Sequence, residues 1–223
     1  KRYLKVKNGV LSEKRKKVMI GMSGGVDSSV AAALLIEQGY DVTGVTLKLW
    51  DVGDFDESNN FKDSTCCSLD DINDAKMVAY KLGIPHYVLN FKDVFNTSVV
   101  KYFADEYNSG RTPNPCIACN KFIKMGGMME KALSMGFDYI ATGHYARIIR
   151  SETSGRYELH RGLSESKDQS YVLYNFTQRQ LQHTLMPLGE YTKEQTREMA
   201  EKYNLAVAKK PDSQEICFVS DND

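Results

Sequence analysis

No stretch of the 223-residue chain approaches the roughly 18 consecutive apolar residues that a membrane-spanning helix needs. The N-terminus is basic but no apolar run follows it, so no secretory signal is expected and the cytoplasm is the expected compartment. Net charge is lacking as well: 29 Lys and Arg balance 29 Asp and Glu. Bulk charge therefore argues neither for nor against a nucleic-acid partner. Internal repeats and low-complexity tracts are absent. Cysteine is sparse and odd in number, five in all, which is not the pattern of a disulfide framework. Their placement (Cys66, Cys67, Cys116, Cys119 and Cys217) points to chemistry instead. Cys66 and Cys67 are adjacent in a polar stretch and read as ordinary reduced thiols. The single tryptophan, Trp50, and the thirteen tyrosines read as packing residues.

What charge there is has been sorted. Residues 1–17 carry eight Lys and Arg against the single acid Glu13, a net +7, so the remainder is −7. This basic extension over 1–16 reads first as a solvated tail and second as an RNA-steering arm. The composition, 42% hydrophobic and 26% charged, fits one sizeable globular domain.

Patterning along the chain predicts a β-loop-α-β start. Val18–Met22 reads as a buried strand, Val30–Gln38 as a helix closed by Gly39, and Tyr40–Leu47 as a second strand. A polar loop is expected over 50–68. A helix over Asp70–Leu82 and a strand at His86–Asn90 follow, then an amphipathic helix over Val94–Tyr107. Asn108–Asn120 is rich in turn residues, Lys121–Met135 reads as a helix, and Tyr139–Thr142 as a strand. Tyr145–Arg150 and Arg156–Arg161 flank a turn and predict a β-hairpin. Thr192–Tyr203 reads as a helix with a Thr192/Gln195 capping box. Strands alternating with helices imply a doubly wound, mostly parallel α/β sheet with a small hairpin and helical extension. Ligand is then expected at the carboxyl ends of the strands.

Ser23-Gly24-Gly25-Val26-Asp27-Ser28-Ser29 falls where a strand meets a helix. A helix N-terminus offers unpaired N–H groups and partial positive charge. Gly24 and Gly25 let backbone approach an anion, and Ser23, Ser28 and Ser29 can add hydroxyl donors. No Gly-Lys-Ser/Thr follows, so this is not a Walker A loop. Gly-x-Gly-x-x-Gly is absent, so it is not a dinucleotide fingerprint either. Asp27 is a candidate magnesium ligand or a structural first-turn acid. His144 follows the Tyr139–Thr142 strand and reads either as a site residue or as a loop histidine. His86, His160 and His183 have no assignment.

The second constellation is Arg111-Thr-Pro-Asn-Pro-Cys-Ile-Ala-Cys-Asn-Lys121, with a distant Cys217. Asn120 is expected to cap a helix starting at Lys121. That would put Cys119 at a helix N-terminus, where a thiolate is favoured. Three chemistries remain open. Cys119 and Cys217 can pass sulfur, one bearing a persulfide and the other releasing it as a disulfide forms. Cys116, Cys119 and Cys217 can ligate an iron–sulfur cluster with one open iron. A structural zinc would need a fourth ligand.

Several stretches together resemble one family: the glycine loop, Arg111–Asn120, Ala141–Tyr145, Lys167–Tyr171 and Asp212–Phe218. The glycine loop is similar to the PP-loop of ATP pyrophosphatases, whose fold is the adenine-nucleotide alpha-hydrolase type. The whole, over roughly 17–220, resembles the bacterial tRNA-specific 2-thiouridylases. The resemblance implies an enzyme that adenylates the C2 oxygen of the wobble uridine of tRNA and replaces it by sulfur. It implies ATP held by Gly21, Met22, Ser23, Gly24, Gly25, Val26, Asp27 and Ser28, with Leu47 and Gly143 lining the pocket and Mg2+ accompanying the nucleotide. Cys119 is the implied nucleophile and Cys217 the implied persulfide bearer. Asn114, Pro115 and the residue after them face the target base, and Lys167, Asp168 and Gln169 contact tRNA. A sulfur donor, either a persulfide-carrying protein or inorganic sulfide, is a further implied partner.

Two departures stand out. Many members carry Asp where this chain has Cys116. The resulting Cys-x-x-Cys with a distant Cys resembles iron–sulfur-dependent tRNA thiolases and favours a [4Fe–4S] cluster on Cys116, Cys119 and Cys217. The family also continues into further, mostly β domains that grip tRNA, so a fragment is expected. The rival reactions are tRNA lysidine synthesis and amidotransferase-type synthesis, which use a nitrogen nucleophile and no cysteine trio. A non-catalytic metal module that binds RNA would need no PP-loop.

Overall fold

The computed structural model describes residues 15–50, 69–212 and 216–218. The basic extension up to residue 14, most of the polar loop with Cys66 and Cys67, and residues 213–215 and 219–223 lie outside the described residues.

Five parallel strands form the sheet, in the order β3-β2-β1-β4-β7. They are β1 (Lys17–Gly21), β2 (Asp41–Lys48), β3 (His86–Asn90), β4 (Tyr139–Ala141) and β7 (Thr184–Leu185). β1 is central, pairing Val18 with Val42 on one side and with Tyr139 on the other. Its side chains alternate between two cores, as a two-residue period requires. Val18 and Ile20 join one cluster with α1 (Val26–Glu37), α2 (Leu69–Leu82) and α8 (Lys193–Lys202). Met19 joins the other, with Met125, Met128, Met129 and Ala132. Helices thus cover both faces, as expected of a doubly wound sheet.

α1 begins at Val26, four residues earlier than its apolar spacing predicts. The reason is Gly25, which takes the extended N-cap conformation (φ −96°, ψ 171°) and lets Asp27-Ser28-Ser29 form the first turn. The helix predicted over Val94–Tyr107 is realised as α3 (Lys92–Phe95), a π-wound turn (Asn96–Val100) and α4 (Lys101–Asn108).

The segment read as turn-rich up to Asn120 is corrected by the structure. Asn114 takes extended backbone, and its Oδ1 accepts from the amides of Cys116 (3.0 Å) and Ile117 (3.3 Å). With Pro115 as first helical residue this is a complete N-terminal signal, and α5 runs Pro115–Ala118. A π-wound stretch, Cys119–Met128, and α6 (Met129–Ser134) continue it. Asn120 therefore caps nothing and is 2% exposed inside the helix. Cys119 lies one turn in, and the helix-end argument for its thiolate passes to Cys116.

β5 (Ala146–Arg150) and β6 (Tyr157–Arg161) form the expected antiparallel hairpin. α7 (Gln178–Gln182) opens on a Thr177/Gln180 capping box. The Thr192/Gln195 box on α8 is as expected. No described helix is long and apolar enough to cross a membrane.

Candidate active site

The phosphate loop joins β1 to α1 and is held from several directions. The Met22 amide donates to Val45 O at 2.7 Å, and Met22 O accepts from the Thr46 hydroxyl at 2.8 Å. Thr46 spends its only hydrogen there, so the His86 Nε2 at 2.9 Å must donate to its oxygen. Burial, aided by Lys76, pushes the His86 pKa down and so favours the neutral ring. Sequence alone gave His86 and Thr46 no role, because nothing in the spacing shows two strands meeting.

Gly24 has φ +72°, and a Cβ there would stand 2.4 Å from Asp71 O on the first turn of α2. Gly143 presses on α1 in the same way: its Cβ would stand 2.7 Å from the Ser28 amide. The Gly143 position named from the sequence is thus against the loop. Gly25 makes no side-chain cap, so the first amides of α1 are offered to whatever sits in the loop. The Ser23 and Ser28 hydroxyls stand 3.4 Å apart, and the buried Ser28 Oγ also accepts from the Ser23 amide at 3.2 Å. Ser29 is a correction: it is fully buried and donates to Gly25 O at 2.7 Å, so it braces the helix and offers no donor to an anion. Leu47, at the carboxyl end of β2, packs against both apolar clusters on that face.

Asp27 does not stand alone. Its carboxylate receives Lys193 Nζ at 2.7 and 2.9 Å and the Tyr145 hydroxyl at 2.8 Å. Burial, together with the Asp27 charge, raises the Tyr145 pKa far above its ordinary value, so the phenol stays a donor. His144 beside it is buried, with Nδ1 2.7 Å from the Thr142 hydroxyl. Burial first and Lys124 second hold its pKa well below the usual histidine range, so it is neutral.

Lys167, Asp168 and Gln169 all make bonds within the chain. Lys167 donates to Asp212 at 2.9 Å. Asp168 accepts from the Gly162 amide and from the Ser170 amide and hydroxyl. Gln169 accepts from the Tyr145 amide at 3.1 Å. The turn that follows, Ser170–Leu173, packs on α5 and the π-wound stretch. Ile117, between the two cysteines of Cys-x-x-Cys, packs with Val172 and Leu173. The fold therefore brings Lys167–Gln169 and Asn114–Cys119 to one side of the molecule. Burial lifts the Asp212 carboxyl, but the Lys193 and Lys167 ammoniums outweigh it and hold its pKa down at about 2.

Cys116 is exposed, whereas Cys119 and Cys217 are half-buried. Cys119, Cys217 and Phe218 pack on one apolar cluster: Leu49, Trp50, Phe95, Val99, Ala118 and Ile123. Two thiols from distant parts of the sequence thus share a wall. Beside Cys119, the buried Asn120 Oδ1 has no hydrogen-bond partner among the described residues, an arrangement that costs about 1–3 kcal/mol. A set of three or more His, Cys, Asp or Glu side chains placed to hold a metal ion is not found among the described residues.

Comparison with known proteins gives a consistent result. The chain matches the family model described as "tRNA methyl transferase HUP domain" over residues 16–221. It is 61% identical over 209 residues to the tRNA-specific 2-thiouridylase MnmA of Acetivibrio thermocellus, covering 94% of this chain and 58% of that protein. It is 59% identical over 214 residues to the enzyme of that name from Carboxydothermus hydrogenoformans, covering 94% and 57%. The chain thus spans somewhat more than half the length of these relatives. Among solved structures, the NMN synthetase of Francisella tularensis superposes with a TM-score of 0.51 at 18% identity, over 88% of this chain and 66% of that one. That likeness speaks for the fold alone. The chain belongs to the tRNA methyl transferase HUP-domain family, the family of the tRNA-specific 2-thiouridylases.

Proposed function

We propose that the chain is the catalytic part of an ATP-dependent tRNA 2-thiouridylase. The observation that carries this reading is a glycine phosphate loop between β1 and α1 in a fold that also sets two cysteines, distant in sequence, against one apolar wall. The family description names methyl transfer, but methyl transfer has no use for a phosphate loop at this position. Lysidine-type and amidotransferase-type reactions have a use for the loop but none for the paired thiols.

The loop amides and the α1 N-terminus bind the polyphosphate of ATP. Mg2+ accompanying the nucleotide would shield the charge of its phosphates, while the Asp27 carboxylate is paired with Lys193. The uracil C2 oxygen attacks the α-phosphorus, and pyrophosphate leaves. A poor leaving group has become AMP. Cys217 carries a persulfide, loaded either by transfer from a persulfide-carrying protein or by sulfide attacking the Cys217 sulfur of a Cys119–Cys217 disulfide, which expels the Cys119 thiolate. Its terminal sulfur attacks C2, and AMP departs with the original oxygen. The Cys119 thiolate then attacks the inner sulfur, which forms a Cys119–Cys217 disulfide and leaves the terminal sulfur on the base. A dithiol reductant reopens the disulfide. The target uridine leaves its stack to reach the site, and Asn114, Pro115 and Lys167–Gln169 line its approach.

A [4Fe–4S] cluster on Cys116, Cys119 and Cys217 is the second reading, favoured by the spacing of Cys116 and Cys119 on one helical face. Anaerobically purified protein, given ATP, unmodified tRNA and either a persulfide-carrying donor protein or, with its Cys119–Cys217 disulfide preformed, sulfide, is expected to release pyrophosphate and form 2-thiouridine. Iron below about one ion per chain supports the thiol route. About four iron and four sulfide per chain, lost in Cys116→Asp, would establish the cluster. No pyrophosphate with either sulfur source would defeat the whole reading.

A further inference from the structure

The three cysteines of the site differ in access and in neighbours. Cys116 is exposed, whereas Cys119 and Cys217 are half-buried. The latter two pack, with Phe218, on the wall of Leu49, Trp50, Phe95 and Ile123. The Phe218 ring, next to Cys217, stands edge-on to Phe95 and Phe103, with centroids 5.7 and 5.5 Å away. A Cys119–Cys217 disulfide is therefore backed by apolar side chains and offers a protein-sized reductant little approach. Cys116 lies one turn from Cys119. They are the second and fifth residues of the helix that opens at Pro115. The turn is tightly wound. The Ile117 amide donates to Asn114 O, three residues back, at 3.2 Å, and the Cys119 amide is shared between Pro115 O and Cys116 O. Bonds to the third residue back are those of a 3₁₀ turn, in which side chains at i and i+3 eclipse. Cys116 and Cys119 are such a pair. Three helical steps separate their Cα atoms by about 5 Å, within the roughly 4.4–6.8 Å that disulfides span. The Cys116 amide is held by Asn114 Oδ1 at 3.0 Å, so the turn can close on Cys119 without losing a helix bond there.

We infer that Cys116 is the resolving thiol of this site: it takes Cys119 over from Cys217 after each transfer and presents the disulfide to a dithiol protein. The Cys116 thiolate attacks Cys119 Sγ. The Cys119–Cys217 bond breaks, Cys217 leaves as a thiolate, and the Cys116–Cys119 bond forms. The chain neither gains nor loses electrons in that exchange. A dithiol protein of the thioredoxin class then attacks Cys116 Sγ, the exposed sulfur, and Cys119 leaves as a thiolate. The second thiol of that protein closes its own disulfide and releases the Cys116 thiolate. The dithiol is oxidised and the chain reduced, by two electrons. The disulfide is thus carried from the wall to the surface, and Cys217 is free to accept a new persulfide before the reductant has docked. The inference rests on the persulfide reading given above, and it gives the third cysteine a task that needs no metal.

The test uses the full chain with Cys66→Ser and Cys67→Ser, which leaves Cys116, Cys119 and Cys217 as its thiols. The chain is oxidised with diamide, and its disulfides are located by peptide mass spectrometry. Thioredoxin lacking its second active-site cysteine serves as a trap, and it is expected to be captured on Cys116. Intact thioredoxin is expected to reduce the oxidised chain at least about tenfold faster than the same chain with Cys116→Ser. Dithiothreitol is small enough to reach the wall, and its rates on the two chains are expected to agree within about threefold. A packing change at residue 116 would not separate the two reductants in this way. Capture on Cys119 or Cys217, equal thioredoxin rates on the two chains, or an equal loss with dithiothreitol each overturns the inference alone. Absence of a Cys119–Cys217 disulfide in the oxidised Cys116→Ser chain overturns the persulfide reading, and the relay with it.

Discussion

Cys119→Ser is expected to reduce 2-thiouridine formation by more than about a thousandfold while ATP still binds, because a serine hydroxyl cannot supply the thiolate that frees the transferred sulfur. The exchange is nearly isosteric. Cys119 is half-buried against Ala118 and Ile123, so the lost thiol is a small packing change and the fold is expected to persist. Activation of the base is carried by the loop, so pyrophosphate release in a single turnover with tRNA should survive. Nucleoside mass spectrometry reads the first quantity and a pyrophosphate assay the second. Thiolation retained near the normal rate contradicts the assignment of Cys119.

Gly24→Ala is expected to weaken ATP binding at least about a hundredfold and to lower stability by about 2–5 kcal/mol. Two effects add. The backbone at Gly24 is left-handed, with φ +72°, which a Cβ disfavours. The new methyl would also stand 2.4 Å from Asp71 O and 2.8 Å from Asp71 Cα, both backbone atoms of a packed helix. Either α2 retreats or the loop does, and the amides then no longer converge on a phosphate. Gly25→Ala is the control. Its φ is −96° and its Cβ would meet Ser23 Oγ at 3.5 Å, an ordinary contact, so a small change in melting temperature is expected. Calorimetric titration and thermal melts separate the two variants. Equal nucleotide affinity in both would contradict the geometry proposed for the loop.

Much of the sheet was legible because its strands are short apolar runs between turn signals. His86–Asn90 has the predicted bounds, and β1 and β2 differ from their expected ranges by one residue at each end. β7 escaped notice because two residues carry no periodicity; it pairs only through Thr184 and Leu185. The helix at the cysteines was misplaced for a physical reason. Two asparagines compete as caps, and the sequence reading took Asn120 because an obvious helical pattern starts after it. Pro115 at the first helical position was the decisive signal for Asn114 instead. The π winding that follows has no sequence signature of its own.

The site divided in the same way. The phosphate loop could be read because glycines, a strand and a helix are contiguous. Gly143 was placed by resemblance, and its press against Ser28 gives that placement a steric reason. Lys193 and Tyr145 could not be found as partners of Asp27, since contacts across more than a hundred residues leave no local pattern. Cys119 and Cys217 were paired by resemblance, and both pack on one apolar wall.

The fate of one oxygen atom decides whether this protein works by adenylating its target base. tRNA carrying 18O at C2 of the target uridine, turned over with unlabelled ATP, should deliver the heavy oxygen to the phosphate of AMP, one atom for each 2-thiouridine formed. Label appearing in water, or ADP and inorganic phosphate in place of AMP and pyrophosphate, would show that the oxygen leaves by another route.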